Sequence, residues 1–132
     1  MTVPAGPDEV SQPWWDATRK RRLVIQRCQD CGHWQHYPRA LCTGCGGMAL
    51  TFEPVSGRGV VDTCTTVLRT VHPDLPAPYV VARVRLAEGP LLLTHLIDVG
   101  QDAAGLIGRS VAVDWAPLPD GRNLPVFRLW AG

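Results

Sequence analysis

Apolar and polar residues alternate with a period of two along much of the chain after Gly57, the spacing of a strand with one face against a core. The clearest case sets Val80, Ala82, Val84 and Leu86 against Val81, Arg83 and Arg85. Five such segments can be traced, at about 59–69, 78–87, 90–99, 110–116 and 124–130, divided by Gly, Pro, Asp and Asn. Glu88-Gly89 reads as a tight hairpin between the second and third, and residues 119–123 as a turn between the fourth and fifth. Residues 102–108 leave room for one helical turn at most. Five strands with their long connection between the third and fourth predict an OB-like barrel.

Before Gly57 the pattern is different. Residues 8–22 read as a helix of two to four turns, with Asp8 or Ser11 as cap and Pro13 in the first turn. Trp14 and Trp15 fall near its start. Arg19-Lys20-Arg21-Arg22 falls at its end, where cations suit the negative pole of the dipole. Residues 1–7 are rich in Pro and Gly and are expected to be disordered. Short β-type runs cover 23–27, 34–37 and 50–53. The chain therefore divides into a tail and helix (1–22), a small cysteine-bearing unit (23–56) and the barrel (57–132). The fold class is mainly β.

Four of the five cysteines form two C-x2-C pairs, Cys28/Cys31 and Cys42/Cys45, with ten residues between the pairs. Two intervening residues let both sulfurs face one point. Gly32 and Gly46 follow each pair, where the backbone must turn sharply. Four thiolates close a tetrahedron, the arrangement of structural zinc, and leave no position for a reacting water. One structural Zn2+ per chain is the expectation. Iron is the competitor for four thiolates, and spacing does not exclude it. His33 and His36 flank the site in sequence but are not needed as ligands; a surface or supporting role is expected of each. Cys64 lies in a β-type run and reads as a buried, inert thiol.

Composition narrows the function classes. An odd cysteine count with close pairs argues against a secreted disulfide framework and for a reducing, cytoplasmic setting. The N-terminus lacks a basic and apolar leader pattern. No run approaches the ~20 apolar residues of a membrane span. A net charge of +1 gives no general pull toward nucleic acid or anionic lipid. The sequence contains no Ser-His-Asp order, no H-E-x-x-H, no Walker loop and no dinucleotide fingerprint. His95, between apolar neighbours, reads as a strand histidine. His72 sits in a long Pro-rich loop, 71–78, which suits contact with a partner or substrate.

Several stretches together resemble a known family. They are the aromatic helix, Leu23-Val24-Ile25-Gln26-Arg27-Cys28-Gln29-Asp30-Cys31-Gly32, Pro38-Arg39-Ala40-Leu41-Cys42-Thr43-Gly44-Cys45-Gly46, and Ser56-Gly57-Arg58-Gly59-Val60-Val61. They are similar to domain-of-unknown-function family thirty-five, from about Trp14 to Trp130. Thr43 departs from the proline that many members carry. The resemblance implies a rubredoxin-like zinc ribbon joined to an OB-fold and associated with acyl-CoA metabolism. It also implies an accessory subunit, not catalytic alone, that partners a thiolase-like protein. That partner is a thiolase or a lipid-transfer-type aldolase (a lyase) of steroid side-chain degradation; attachment to a hot-dog-fold hydratase is a further arrangement.

On that reading the acyl-CoA is met indirectly, through the partner's site. Arg19, Arg21 and Arg22 are candidates for CoA phosphates, against the simpler reading of a solvated helix end. Trp14 and Trp15 are candidate partner or groove anchors, against simple packing. His72 is the remaining contact candidate. The alternative function is a nucleic-acid-binding ribbon and barrel. The second and third barrel strands offer Tyr79, Arg83 and Arg85 but no Phe or Trp, a thin platform for stacked bases. An electron-transfer iron protein is a third reading, which colour would reveal.

Overall fold

The computed structural model describes residue 6, residues 8–100 and residues 102–131. Apart from Gly6, the expected disordered tail of residues 1–7 lies outside the described residues.

The helix α1 runs only from Gln12 to Arg19, shorter than its apolar pattern suggests. Local hydrogen bonds compete at both ends. The Ser11 amide and hydroxyl both donate to Asp8 Oδ1, at 2.8 and 2.9 Å, so Asp8 closes a turn before the helix begins. At the other end the amides of Lys20 and Arg22 both donate to Ala17 O, and Arg21 turns to φ 55°. Only Arg19 of the basic run lies within the helix. Trp14, Trp15 and Thr18 form its buried face.

Three strands follow: β1 (Val24–Cys28), β2 (Trp34–Gln35) and β3 (Leu50–Pro54). They form an antiparallel sheet in the order β2-β1-β3. β2 ends two residues earlier than the sequence suggests, because the chain leaves the sheet at His36 toward the helix. The barrel comprises β4 (Arg58–Val67), β5 (Tyr79–Leu86), β6 (Leu91–Leu96), β7 (Ser110–Pro117) and β8 (Asn123–Leu129). It closes in the order β4-β5-β6-β8-β7. The alternation in β5 is as expected: Val80, Ala82, Val84 and Leu86 are buried. Gly89 makes the β5–β6 turn at φ 117°, and a single 3₁₀ turn, Ala104–Leu106, lies in the β6–β7 connection. A bulge between Val61 and Thr63 bends β4, which helps a short sheet curl shut.

Closure is uneven. β7 and β8 pair at seven positions from Val111↔Leu129 to Pro117↔Asn123. By contrast, β6 and β8 run parallel and meet as partners at Leu96↔Phe127. Pro125 has no amide to donate, and its carbonyl instead accepts from the Thr94 hydroxyl at 3.0 Å.

One core serves helix, ribbon and barrel. It joins Trp14, Trp15, Leu23 and Ile25 to Val61, Val84, Leu92, Val111 and Phe127. Helix and barrel are also pinned by polar bonds: the Asn123 side-chain amide donates to Thr18 O at 2.8 Å, both residues being buried.

The glycines entering the barrel have a steric cause. Gly57 holds φ 77°. A Cβ on Gly59 would collide with the carbonyl oxygen of Arg85 on the paired strand and lie 2.9 Å from Val84 Cγ1. The Arg85 carbonyl belongs to the backbone of the paired strand, which leaves little room to yield. Gly59→Ala is therefore expected to cost about 2 kcal/mol or more, read as a fall of roughly 6–12 °C in thermal midpoint. An unchanged midpoint would show that β4 and β5 can separate freely there.

Candidate metal centre and the groove beside it

β1 delivers Cys28, and two turns of the same design hold the sulfurs. In the first, Cys28 N donates to His33 O and Gly32 N to Cys28 O, both at 2.9 Å. In the second, Cys42 N donates to Gly47 O and Gly46 N to Cys42 O, again at 2.9 Å. Gly32 and Gly46 take φ 76° and 77°, which only glycine adopts without strain. The four Sγ atoms lie within 4.8 Å of one another. Cys28–Cys45 and Cys31–Cys42 are 3.7 and 3.6 Å apart. A Zn–S bond of ~2.3 Å gives a tetrahedron edge of ~3.8 Å, so the donor set fits the ion.

Backbone amides are aimed at the sulfurs. Gly44 N and Cys45 N donate to Cys42 Sγ at 3.3 and 3.4 Å, and Gly47 N donates to Cys45 Sγ at 3.4 Å. In the metal-free protein, the Cys45 amide, with that of Gly44, pulls Cys42 down to about 6. Cys31 is pushed up to about 12: the His33 amide favours its thiolate but is outweighed by burial and the neighbouring sulfurs. Four thiolates this close need a cation among them.

Two glutamines that the sequence reading passed over fix the second turn. Gln35 Nε2 donates to Gln26 Oε1 at 2.7 Å, and both side chains are buried. Gln26 bonds the Arg39 backbone at both its amide and carbonyl, and Gln35 Oε1 accepts from Thr43 N at 2.9 Å. A loop with no strand of its own is thereby tied to the sheet. The signal available was a polar residue at an inward strand position, which is informative when the partner is known.

His33 is exposed and lies 3.0 Å from Thr43 Oγ1. His36 departs from the surface or supporting role expected of it. It turns away from the sulfurs to Trp14, ring centroids 5.3 Å apart. Cys64 is half-buried rather than buried as expected; its thiol donates to Ala103 O at 3.0 Å, and desolvation raises its pKa.

A groove of about 410 Å³ opens where β6 and β8 diverge. Leu92–His95 of β6 and Leu124–Pro125 of β8 line it, with Tyr79 and Val81 of β5. Trp14, Trp15, His36, Tyr37 and Leu75 complete the lining. None of its lining residues is Asp, Glu, Lys or Arg. Trp15 Nε1 donates to Tyr37 OH at 2.8 Å, and Tyr79 stacks on His95. Trp14 Nε1 and His36 Nδ1 are buried without a hydrogen-bond partner.

The other candidate contacts lie elsewhere. Arg19 Nη1 donates to Asp120 O at 2.8 Å, and Arg21 and Arg22 are exposed beyond the helix. His72 is on the exposed loop that also carries Leu75. Arg83 and Arg85 are engaged by Asp62 at 2.8 and 3.9 Å.

Burial lowers His36 to about 4. A histidine whose folded pKa lies below its ordinary ~6.5 binds its proton more readily when unfolded. Its contribution is complete above pH ~6.5 and is lost as pH falls toward 4. We expect His36→Phe to flatten the stability loss between pH 6.5 and 4 by about 2–4 kcal/mol, read by urea titrations at both pH values. Parallel curves for the two proteins would place the acid sensitivity elsewhere.

Two family models cover most of this architecture. The ChsH2 rubredoxin-like zinc ribbon domain matches residues 15–51, and the ChsH2 C-terminal OB-fold domain matches residues 52–116. A DUF35 domain-containing scaffold protein of Pyrococcus furiosus is 35% identical over 70% of this chain and 68% of its own. The chain belongs to the ChsH2/DUF35 family. Its ribbon therefore carries one structural zinc on Cys28, Cys31, Cys42 and Cys45.

Other ChsH2/DUF35 relatives extend the likeness. A probable enoyl-CoA hydratase alpha subunit of Thermomonospora curvata is 38% identical over 87% of this chain, which spans 36% of that relative's length. A chain of the Ltp2-ChsH2(DUF35) aldolase superposes with a TM-score of 0.86 at 35% identity, covering 96% of this chain and 98% of that one. A DUF35-family protein of unknown function from Sulfolobus solfataricus shares the fold at a TM-score of 0.65 and 14% identity, over 92% of this chain and 86% of that one. Among the described residues no helix is long and apolar enough to cross a membrane.

Proposed function

We propose that this chain is a non-catalytic accessory subunit. On this reading it binds a thiolase-like, lipid-transfer-type partner and supports that partner's acyl-CoA chemistry. The likeness to a chain of the Ltp2-ChsH2(DUF35) aldolase, end to end at 35% identity, carries the reading. The saturated tetrathiolate centre supports it, since such an ion stabilises structure and has no position for substrate. The reaction would be retro-aldol cleavage of a β-hydroxyacyl-CoA with a steroid ring system, or the related thiolase reaction.

The partner would supply the acid and base. This chain would shape and dry the thioester channel and hold the partner's loops in place. Arg19, Arg21 and Arg22 are proposed to face CoA phosphates or the partner, and His72 to contribute to the contact; Trp14 and Trp15, expected as partner anchors, are instead buried in the core and border only the groove. A cytoplasmic setting agrees with a zinc site of free thiols.

Co-expression with a thiolase-like protein from the same genome tests this. The two should co-purify, and the complex should cleave a β-hydroxyacyl-CoA that neither protein cleaves alone. Turnover by this chain in isolation would refute the accessory role. Tight, steeply salt-dependent binding of single-stranded oligonucleotides would favour the nucleic-acid alternative instead.

A further inference from the structure

The groove along β6 and β8 has features that partner binding does not require. Its volume of about 410 Å³ falls in the range of small-molecule sites, roughly 300–1,000 Å³. Its walls are mostly aromatic and aliphatic, on strands and a helix fixed by the shared core. The stacked Tyr79 and His95 rings, 15° from parallel, offer a flat face.

Charge is missing as well as polarity being sparse. No acid or base with a permanent charge lines the groove. Its two imidazoles are neutral at neutral pH, because burial lowers both His36 and His95. A fixed ionic group would lose hydration there and gain no countercharge.

Two polar atoms of the lining, Trp14 Nε1 and His36 Nδ1, are buried without a partner, and the indole is the one whose demand is unambiguous. Trp14 lines the groove, is 3% exposed, and its Nε1–H has no acceptor. An indole nitrogen can only donate, and leaving it unpaired in a buried place is costly. An acceptor oxygen that reached this N–H from the groove would relieve that cost.

We propose that this groove is a binding site for an uncharged, ring-bearing small molecule, or the uncharged ring portion of a larger one, that carries an oxygen acceptor. Geometry selects the class: flat aromatic walls, no charged lining and an orphaned indole donor. The inference deepens the accessory reading, because a subunit holding the hydrocarbon part of a thioester could present it to its partner. The two remain separable, since ligand binding is measured with the zinc-loaded chain alone.

The test uses 1-naphthol, 1-methylnaphthalene and naphthalene-1-sulfonate as probes of matched ring size. Titrations of 15N-labelled protein follow the five tryptophan indole N–H signals, with Trp14 assigned by Trp14→Phe. Saturable binding of 1-naphthol with a downfield move of the Trp14 signal is expected. The sulfonate should bind at least about tenfold more weakly, and 1-methylnaphthalene should bind without the downfield move. Val81→Trp should fill the groove and weaken 1-naphthol at least about tenfold. Leu93→Asp, at a rim position that is 74% exposed, gives a second variant should the first fail to fold. Three outcomes overturn the proposal: no saturable shift up to the solubility limit of 1-naphthol, equal binding of the sulfonate, or unchanged affinity in the folded variants. Loss of complex formation with a partner, while 1-naphthol still binds, would instead count against the accessory reading.

Discussion

Cys42→Ala is expected to abolish stoichiometric zinc and unfold the ribbon, leaving the barrel strands as the ordered part of the chain. Cys42 is buried and its sulfur accepts two backbone amides, so its loss removes a ligand and orphans Gly44 N and Cys45 N together. The ribbon cannot compensate from its own resources. β2 is two residues long, and β3 has no fully buried residue. Structural zinc contributes apparent binding energies of roughly 10–16 kcal/mol in comparable small sites, more than a three-stranded sheet of this size can replace. Elemental analysis should fall from one zinc per chain to a small fraction. Amide signals from residues 24–54 should collapse while those of β4 to β8 persist. Full zinc content with an unchanged spectrum would mean that Cys42 is not a ligand.

The second large effect is expected from Trp15→Ala. This side chain is 7% exposed and joins three parts of the molecule. Its ring meets Trp14 edge-on at 4.7 Å, and the Arg122 guanidinium lies over its face at 4.5 Å. Its Nε1 donates to Tyr37 OH. Removing a buried indole costs about 3–5 kcal/mol, and here Arg122 stays buried without its aromatic neighbour. Trp15→Phe keeps most of the ring and loses the hydrogen bond, for about 1 kcal/mol. Denaturant titration of both variants separates packing from bonding. Equal losses would show that the Tyr37 bond, not the ring, holds helix to ribbon.

The strands and the metal centre were legible in the sequence because both are written locally. Period-two alternation fixes a strand's faces, and two C-x2-C pairs with trailing glycines describe a sulfur cage within eighteen residues, 28–45. The helix ends were less legible. Asp8 and Ser11 bond to each other instead of extending the helix, and that competition depends on geometry rather than composition.

The groove could not be read at all. Its walls come from residues 14–15, 36–37, 75, 79, 81, 92–95 and 124–125, which meet only after the barrel closes. His36 illustrates the difficulty: proximity in sequence to the cysteines suggested a place near them, yet the chain turns it toward Trp14. Gln26 and Gln35 were invisible for a related reason, since their worth lies in the backbone of a loop between positions 38 and 43.

The sparse pairing between β6 and β8 has a consequence for how the molecule breathes. With Pro125 unable to donate and a hydroxyl standing in for a ladder bond, this is where the wall parts at least energetic cost. Amide exchange at Ile97, whose amide donates across this seam to Phe127 O, should then outpace that at Ala112 and Asp114, which are paired with β8 inside the seven-position ladder. A slit that opens on its own beside two indoles would admit a guest without disturbing the thiolate cage, none of whose cysteines lines it.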